Sequence, residues 1–446
     1  MKKVIYILFA LLFSLAGCNK VLDVSPVDSV DADKAIKDKT GVERAIIGSY
    51  NALQAVGLYG RNMMIVGDLA ADNLVWTGTM LEYGQIQNKP IPSENATIDG
   101  MWYAAYDGIN RVNNILYKLP EVPGLTQDEL DAYEGEALFI RALLHFNLAT
   151  YFGGVPIKTL PTLDLSNIDA ARNTLAEVYT QIISDLNTAK AKLPATAPTG
   201  RISSFAASAL LAKVYLVKFQ LGGNDADATQ AISEAGNVIA NGGFSLAADY
   251  SSLFNPLAPT PESIFEVVYD AQNFNRLAQY YYSRDYSGRY EIAPTPGLIS
   301  SFDPADIRLT ASLNYDGSLK PYGRKYNDIA GGTDRVFVMR LAEMYLVRAE
   351  ALAYSNGDIS AIQADINAIR SRAGLGNTTA ADLASLKLAI ENECRYEFAF
   401  EGHRWSDLVR TGRATVVLGI DAKYTLFPIP LSEVQTNRLM AQNPGY

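Results

Sequence analysis

A helical hydrophobic period that keeps returning constrains this chain more than any other feature. Apolar residues recur three and four positions apart in 45–56, 102–119, 130–152, 175–193, 205–221, 231–239, 338–354, 359–369 and 383–400, the spacing that lines one face of an α-helix. Several stretches have legible ends. Thr126 lies three residues before Glu129, a capping-box spacing; Gly153 and Gly154 follow the long third stretch, and Gly374 follows the helix that ends near Arg372.

The stretches pair across Gly, Asn or Pro segments: 41–57 with 101–118, 128–152 with 174–193, 203–221 with 227–241, and 338–355 with 359–372. Ala206, Ala207, Ala209 and Ala212 form one set of small residues and Ala342, Ala349, Ala351 and Ala353 another, which lets helix backbones approach closely, as in tetratricopeptide-like hairpins. With 446 residues, 48% of them hydrophobic, the chain can bury a large core. The fold class expected is mostly α: about four tetratricopeptide-like helical hairpins with long irregular insertions and minor β.

The insertions are 58–100 and 242–337. Segments of that length inside a compact chain hold structure of their own or carry function. One short strand is expected at 263–269, where Ile264, Phe265, Val267 and Val268 favour extended backbone. The first insertion carries Asp72, Asn73, Trp76 and Tyr83, and the second the run 279–290 with Tyr280, Tyr281, Tyr282, Arg284, Tyr286 and Tyr290. An amphipathic ring on a loop can stack on a sugar face while neighbouring amides and carboxylates bond its hydroxyls. The expected ligand-binding residues are therefore Asn73, Trp76, Tyr83, Tyr281, Tyr282, Arg284 and Tyr286, with packing inside the loop core as the competing account of Trp76. If the tyrosine run is extended, Tyr280 and Tyr282 face one side and Tyr281 the other.

Met1, Lys2 and Lys3 precede an apolar run at 4–12, and Leu15, Ala16, Gly17 and Cys18 follow. Residues 1–17 read as a lipoprotein signal peptide, too short for a stable membrane span, and Cys18 as the lipidation site. Only Cys394 would then remain, so no internal disulfide is expected. A formal net charge of -10 argues against nucleic acid as a partner. His145 and His403 stand far apart with no zinc-ligand spacing, so no metal and no cofactor is expected, although a calcium site from loop carboxylates leaves no spacing to read. No GxSxG, HExxH, Walker loop or complete GxGxxG is present, and no catalytic residue is expected.

WYAAYDGINRVNNIL at 102–116, RALLHFNLATYFGGVPI at 141–157, RVFVMRLAEMYLVRAEAL at 335–352, INAIRSRAGL at 366–375, ECRYEFAFEGHRWSDLVRTG at 393–412, LFPIPLSEVQTN at 426–437 and the closing QNPGY resemble segments of the RagB/SusD family of outer-membrane nutrient-uptake lipoproteins. The resemblance runs from Cys18 to Tyr446. It implies a SusD-like fold in which 18–446 form one nutrient-binding domain behind the signal peptide. It also implies a non-catalytic protein, lipid-anchored in the outer membrane and facing the cell exterior, that captures an oligosaccharide, or else a peptide or another oligomer, for a TonB-dependent (SusC-like) transporter. A surface polysaccharide hydrolase is the competing class.

Glu397, Glu401, His403, Arg404 and Asp407 crowd one short stretch and invite a catalytic reading. Glu397 and Glu401 lie one helical turn apart with Phe398, Phe400 and Trp405 interleaved, which fits ion pairs inside a helix packing. Arg340 and Glu343, three apart, are expected to pair, and His145, between Leu144 and Phe146, is expected in the core.

Overall fold

The computed structural model describes residues 32–163, 168–255 and 259–446. The expected signal peptide and Cys18 lie outside the described residues. Eight helices form the four expected pairs: α1 (Lys39–Leu53) with α2 (Ala96–Lys118), α3 (Gln127–Phe152) with α4 (Leu175–Lys192), α5 (Ser204–Gln220) with α6 (Asp225–Asn241), and α7 (Leu341–Tyr354) with α8 (Ile359–Arg372). Consecutive pairs also pack on each other through α2 and α3, α4 and α5, and α6 and α7, so the array stacks continuously. A ninth helix, α9 (Leu383–Glu397), lies against α7 and α8.

The ends form as the sequence indicates. Glu129 N–H donates to Thr126 Oγ1 at 3.3 Å and Thr126 N–H donates back to Glu129 Oε2 at 3.1 Å, closing the capping box of α3. Gly153 ends that helix at φ 76°, a conformation other residues adopt at a cost. From Tyr133 onward α3 is buried almost all round because α2, α4 and α5 surround it. Its one internal cation, Arg141, is met by Asp185 at 2.7 and 2.8 Å and by Asn113 at 3.1 Å, which ties α3 to α4 and α2. The two alanine sets are fully buried at helix contacts.

Two expectations change at the start of α7. The helix begins at Leu341, because Val336–Arg340 is a strand, β6, whose β-branched and aromatic residues suit a pleat. It pairs antiparallel with β2 (Ser263–Val267), the strand expected in the second insertion. Arg340 also makes no bond to Glu343. Its backbone is still extended and its side chain turns inward, while Glu343, in the first turn of α7, meets Lys213 of α5 at 2.7 Å.

The insertions are built against one another. β1 (Leu74–Trp76) pairs antiparallel with β3 (Ile292–Pro294), Trp76 opposite Ile292, joining segments far apart in sequence. β4 (Leu313–Tyr315) and β5 (Pro321–Gly323) form a hairpin that also approaches β3. The tyrosine run is not extended: Leu277–Tyr281 is a short helix, so Tyr280 and Tyr281 both turn into the core and the chain emerges only at Tyr282.

Candidate functional site

Two places in the molecule concentrate chemistry-bearing side chains, and their environments are opposite. The first is the charged C-terminal stretch. Arg340 donates to Glu262 at 2.8 Å and to Glu401 at 2.9 and 3.0 Å, and it also bonds Glu397. Arg308 meets Asp306 at 2.7 Å, Glu393 at 2.9 Å and Glu397 at 3.1 Å. Arg372 bonds Glu262 at 2.9 Å and also Glu397, and Lys325 donates to Glu401 at 2.8 Å. All of these groups are buried. The guanidinium groups around them hold Glu397 well below the usual carboxylate range and Glu401 down to about 2, against the opposing effect of burial. These carboxylates are ionised, multiply bonded and shut away from solvent, as structural pairing requires.

The two histidines are spoken for as well. His145 Nδ1 lies 3.0 Å from the Arg141 carbonyl and its Nε2 accepts from Lys158 N–H at 3.4 Å, so the ring is neutral; burial pushes its pKa down to about 4. His403 stacks on Phe398 with centroids 4.5 Å apart, and burial holds its pKa well below the ordinary value. Among the described residues no three His, Cys, Asp or Glu side chains come together as metal ligands.

The second place is the tip formed by the segment after Tyr281 and the β4–β5 hairpin. Tyr282, Tyr286 and Tyr322 form a three-ring wall: centroids are 4.8 Å apart for Tyr282–Tyr322, 5.4 Å for Tyr286–Tyr322 and 6.5 Å for Tyr282–Tyr286. Tyr286 is 47% exposed, Tyr282 half-buried and Tyr322 nearly covered, so the wall shows a graded apolar face to solvent. Arg284–Tyr286 is a single 3-10 turn ended by Ser287 at φ 66°. Tyr290, at φ 54°, is held in a conformation rare for a side-chain-bearing residue by two bonds: its N–H to Tyr282 O at 3.0 Å and its hydroxyl to Pro321 O at 3.1 Å. Gly323 lets the hairpin close down, because a Cβ there would meet Phe400 at 2.7 Å and Tyr281 at 3.2 Å.

The structure divides the seven expected ligand residues. Tyr282, Arg284 and Tyr286 stand together at the tip. Tyr281 is 1% exposed, its ring near-parallel to Tyr326 and edge-on to Phe400, and it serves the core. Tyr83 is fully buried, edge-on to Tyr280. Asn73 is fully buried too, its amide donating to Asp68 at 3.0 Å and accepting from Arg395 at 2.9 Å. These three side chains are enclosed because the insertions pack onto the main core: Tyr83 and Tyr281 join the buried cluster of the helix array, and Asn73 is held between Asp68 and Arg395. Trp76 is intermediate: its ring packs on Gly84, where a Cβ would come within 2.8 Å, while part of it stays exposed on strand β1. Thr77, the next residue, donates both its N–H and its hydroxyl to the 290–291 backbone, so β1 and the tyrosine tip flank one segment. Tyr322 was not singled out from sequence. Its only cue is an aromatic between Pro321 and Gly323 inside an insertion; its ring partners lie more than thirty residues earlier.

With this geometry in hand, known proteins give a consistent picture. Residues 20–216 match a family model described as starch-binding and associating with the outer membrane, and residues 320–446 match the SusD family model. Together these cover well over half of the sequence. The chain belongs to the SusD/RagB family. A SusD-like protein of Formosa agariphila is 28% identical over all of this chain and all of its own length. The starch-binding protein SusD of Bacteroides thetaiotaomicron is 25% identical, covering 74% of this chain and 75% of that protein. Among solved structures, a laminarin-binding SusD-like protein superposes with a TM-score of 0.80 at 26% identity, covering 92% of this chain and 100% of the other. The family is one of glycan-binding proteins associated with the outer membrane. Among the described residues no helix is long and apolar enough to cross a membrane.

Proposed function

We propose that this protein is a non-catalytic, lipid-anchored cell-surface protein, its residues 18–446 acting as one binding unit, that captures an oligosaccharide and delivers it to a TonB-dependent outer-membrane transporter. The observation that carries the binding role is the three-tyrosine wall, an exposed stacking face on a tip held by backbone bonds and a glycine contact. Aromatic rings of this kind suit the flat apolar faces of sugars, and their hydroxyls suit the sugar edge. Family membership and relatives named for starch and laminarin supply the ligand class. The absence of catalysis is supported by the carboxylates of the C-terminal stretch, which are saturated by arginines and remote from solvent. For the transporter, the support is the rigid stacked array with large apolar residues left on its first pair, Ile47 and Tyr103, 60% and 72% exposed.

The test is a binding panel of starch and laminarin oligomers, read by calorimetry and by product analysis after long incubation. Binding without released product is expected; cleavage would establish the hydrolase instead, and binding of peptides alone would replace the ligand class. Co-purification from detergent-solubilised membranes should recover a TonB-dependent receptor. Cys18→Ala should abolish labelling by a tagged fatty acid while leaving ligand affinity unchanged.

A further inference from the structure

Charge at the tyrosine tip is arranged unlike charge at the buried hub. Arg308, Arg340, Arg372, Arg404 and Arg410 each meet one or more carboxylates. Arg284 and Arg324 are both exposed, and among the described residues neither side chain forms an ion pair. Arg44, Arg276 and Arg438 are likewise exposed without an ion pair among the described residues, but Arg284 and Arg324 are the two that stand with the tyrosine wall, in a chain of formal net charge -10.

Arg324 is the better placed of the two. It follows β5 directly, two residues beyond Tyr322, and its charge acts on the hydroxyls of both Tyr282 and Tyr322, opposing the rise that burial imposes on them. It also lines a cleft of about 430 Å³ with Ser251, Thr310, Asn327 and Asp249. The guanidinium therefore stands between a stacking wall and a cleft edged by hydroxyls and an amide. The nearby carboxylates are engaged in holding turns. Asp249 accepts Ser251 N–H at 2.9 Å and Ser251 Oγ at 2.8 Å, and Asp316 accepts the N–H groups of Ser318 and Lys320, both at 2.9 Å. Asp285 remains exposed beside Arg284 and offsets part of that residue's field.

Resting on the glycan-binding reading above, we infer that this tip selects oligosaccharides carrying carboxylate or sulfate groups: a sugar ring lies on Tyr286 and Tyr282, and its anionic substituent is met by Arg324, with Arg284 adding to the local positive potential. Both anions present paired oxygens that a planar guanidinium bonds in parallel, which an ammonium does not reproduce. A neutral glycan uses the same rings but leaves Arg324 solvated. The charged substituent thus adds affinity over the neutral sugar, and it does so in a salt-dependent way.

The experiment is calorimetry on the detergent-solubilised full-length lipoprotein with three probes: oligogalacturonates, sulfated galactan oligomers and neutral laminarin oligomers, at low salt (about 50 mM) and high salt (about 500 mM). At low salt at least one anionic probe is expected to bind about tenfold tighter than the neutral one, with the margin shrinking at high salt. Which anionic probe binds identifies the substituent. Arg324→Gln should remove the preference and leave affinity for the neutral probe within about twofold; Arg324→Lys should restore part of it; Arg284→Gln should act in the same direction but less. Because both residues are exposed, unchanged melting temperatures are expected, and the salt dependence of the wild type stands without any variant. Equal or tighter binding of the neutral probe, a salt-insensitive preference, or an Arg324→Gln loss shared equally by all probes overturns the inference and leaves the glycan reading intact. Failure of all three probes, with starch oligomers also silent, overturns the glycan reading itself.

Discussion

The ion-pair hub around Arg340 and the tyrosine tip around Tyr286 are both dense in the residue types that catalysis and recognition use, yet only one of them offers anything to a ligand. At the hub, Glu262, Glu397 and Glu401 are each bonded by at least two cationic side chains and enclosed. At the tip, rings touch one another but keep a solvent-facing side, and Arg284 and Arg324 keep their donors. The difference lies in saturation, not in residue type. A charged group whose bonds are all made inside the protein is scaffold, and one held in place with bonds left over is available for recognition.

The largest effect should come from breaking the hub. Glu397 faces Arg308, Arg340 and Arg372, so Glu397→Ala leaves buried cations short of a partner and should cost about 3–5 kcal/mol of stability in urea unfolding. Ligand affinity of the remaining folded protein should be unchanged. Acid should act on the same groups. Glu401 has its pKa lowered from an ordinary value of 4.5 to about 2, so the unfolded chain binds the proton first and stability falls as pH drops from about 4.5 towards 2. Glu401→Gln should flatten that part of the stability curve. A variant with normal melting and abolished binding would make the hub a ligand site.

Gly323→Ala probes the joint between the two regions. Its new Cβ would press on Phe400, next to Glu401 of the hub, and on Tyr281 beneath the tip, while the neighbouring residue is Tyr322. Overpacking of this kind costs about 1–3 kcal/mol, and the displaced hairpin should carry Tyr322 out of the wall. Stability and affinity should fall together, in contrast to Glu397→Ala. Tyr286→Ala should separate them the other way: ligand affinity down by about 1–2 kcal/mol, read by calorimetry, with melting unchanged because the ring is nearly half exposed.

The helix pairs and the structural character of Glu397 and Glu401 were legible in the sequence, whereas the partners within the hub and the assembly of the tip were not, for a physical reason. Helix pairs are local: the 3.6-residue period, the alanine sets and Thr126 with Glu129 are contained within short stretches, and the structure reproduces them. Glu397 and Glu401 read as structural because the aromatics between them are adjacent in sequence. What failed were inferences about direction. Arg340 was assigned to Glu343 by helical spacing, but a strand ends where the helix was expected to be under way, and strand geometry sends the side chain elsewhere. At the tip, composition singled out Tyr282 and Tyr286, which the wall contains, but also Tyr281, which is core, and it passed over Tyr322. Tyr281 and Tyr282 are neighbours, yet the end of a short helix puts one in the core and the other at the surface. Tyr322 joins them only through a hairpin from further along the chain, and the β1–β3 pairing that brings Trp76 beside this segment has no local signature.

Trp76 carries the smallest and most discriminating expectation, because it sits between the two categories. Its ring is packed on Gly84 and its backbone N–H donates to Gln87 at 2.7 Å, which are scaffold contacts. Its indole Nε1 is buried and has no hydrogen-bond partner among the described residues. A buried donor without an acceptor costs free energy, so Trp76→Phe loses some ring contact but also removes that unpaired donor. The two effects oppose, and the net stability change should stay within about 1 kcal/mol. Trp76→Ala, by contrast, empties the space over Gly84 and should cost more, about 2 kcal/mol, because only part of the ring is buried. Affinity then decides the role. If Trp76 is loop core alone, Trp76→Phe should bind glycan as the wild type does, leaving the tyrosine wall as the whole platform. If its exposed edge belongs to the platform, the phenyl variant should lose affinity at nearly constant melting temperature. The tyrosine geometry favours the first outcome, because the wall is complete without Trp76: each of its three rings already touches the other two.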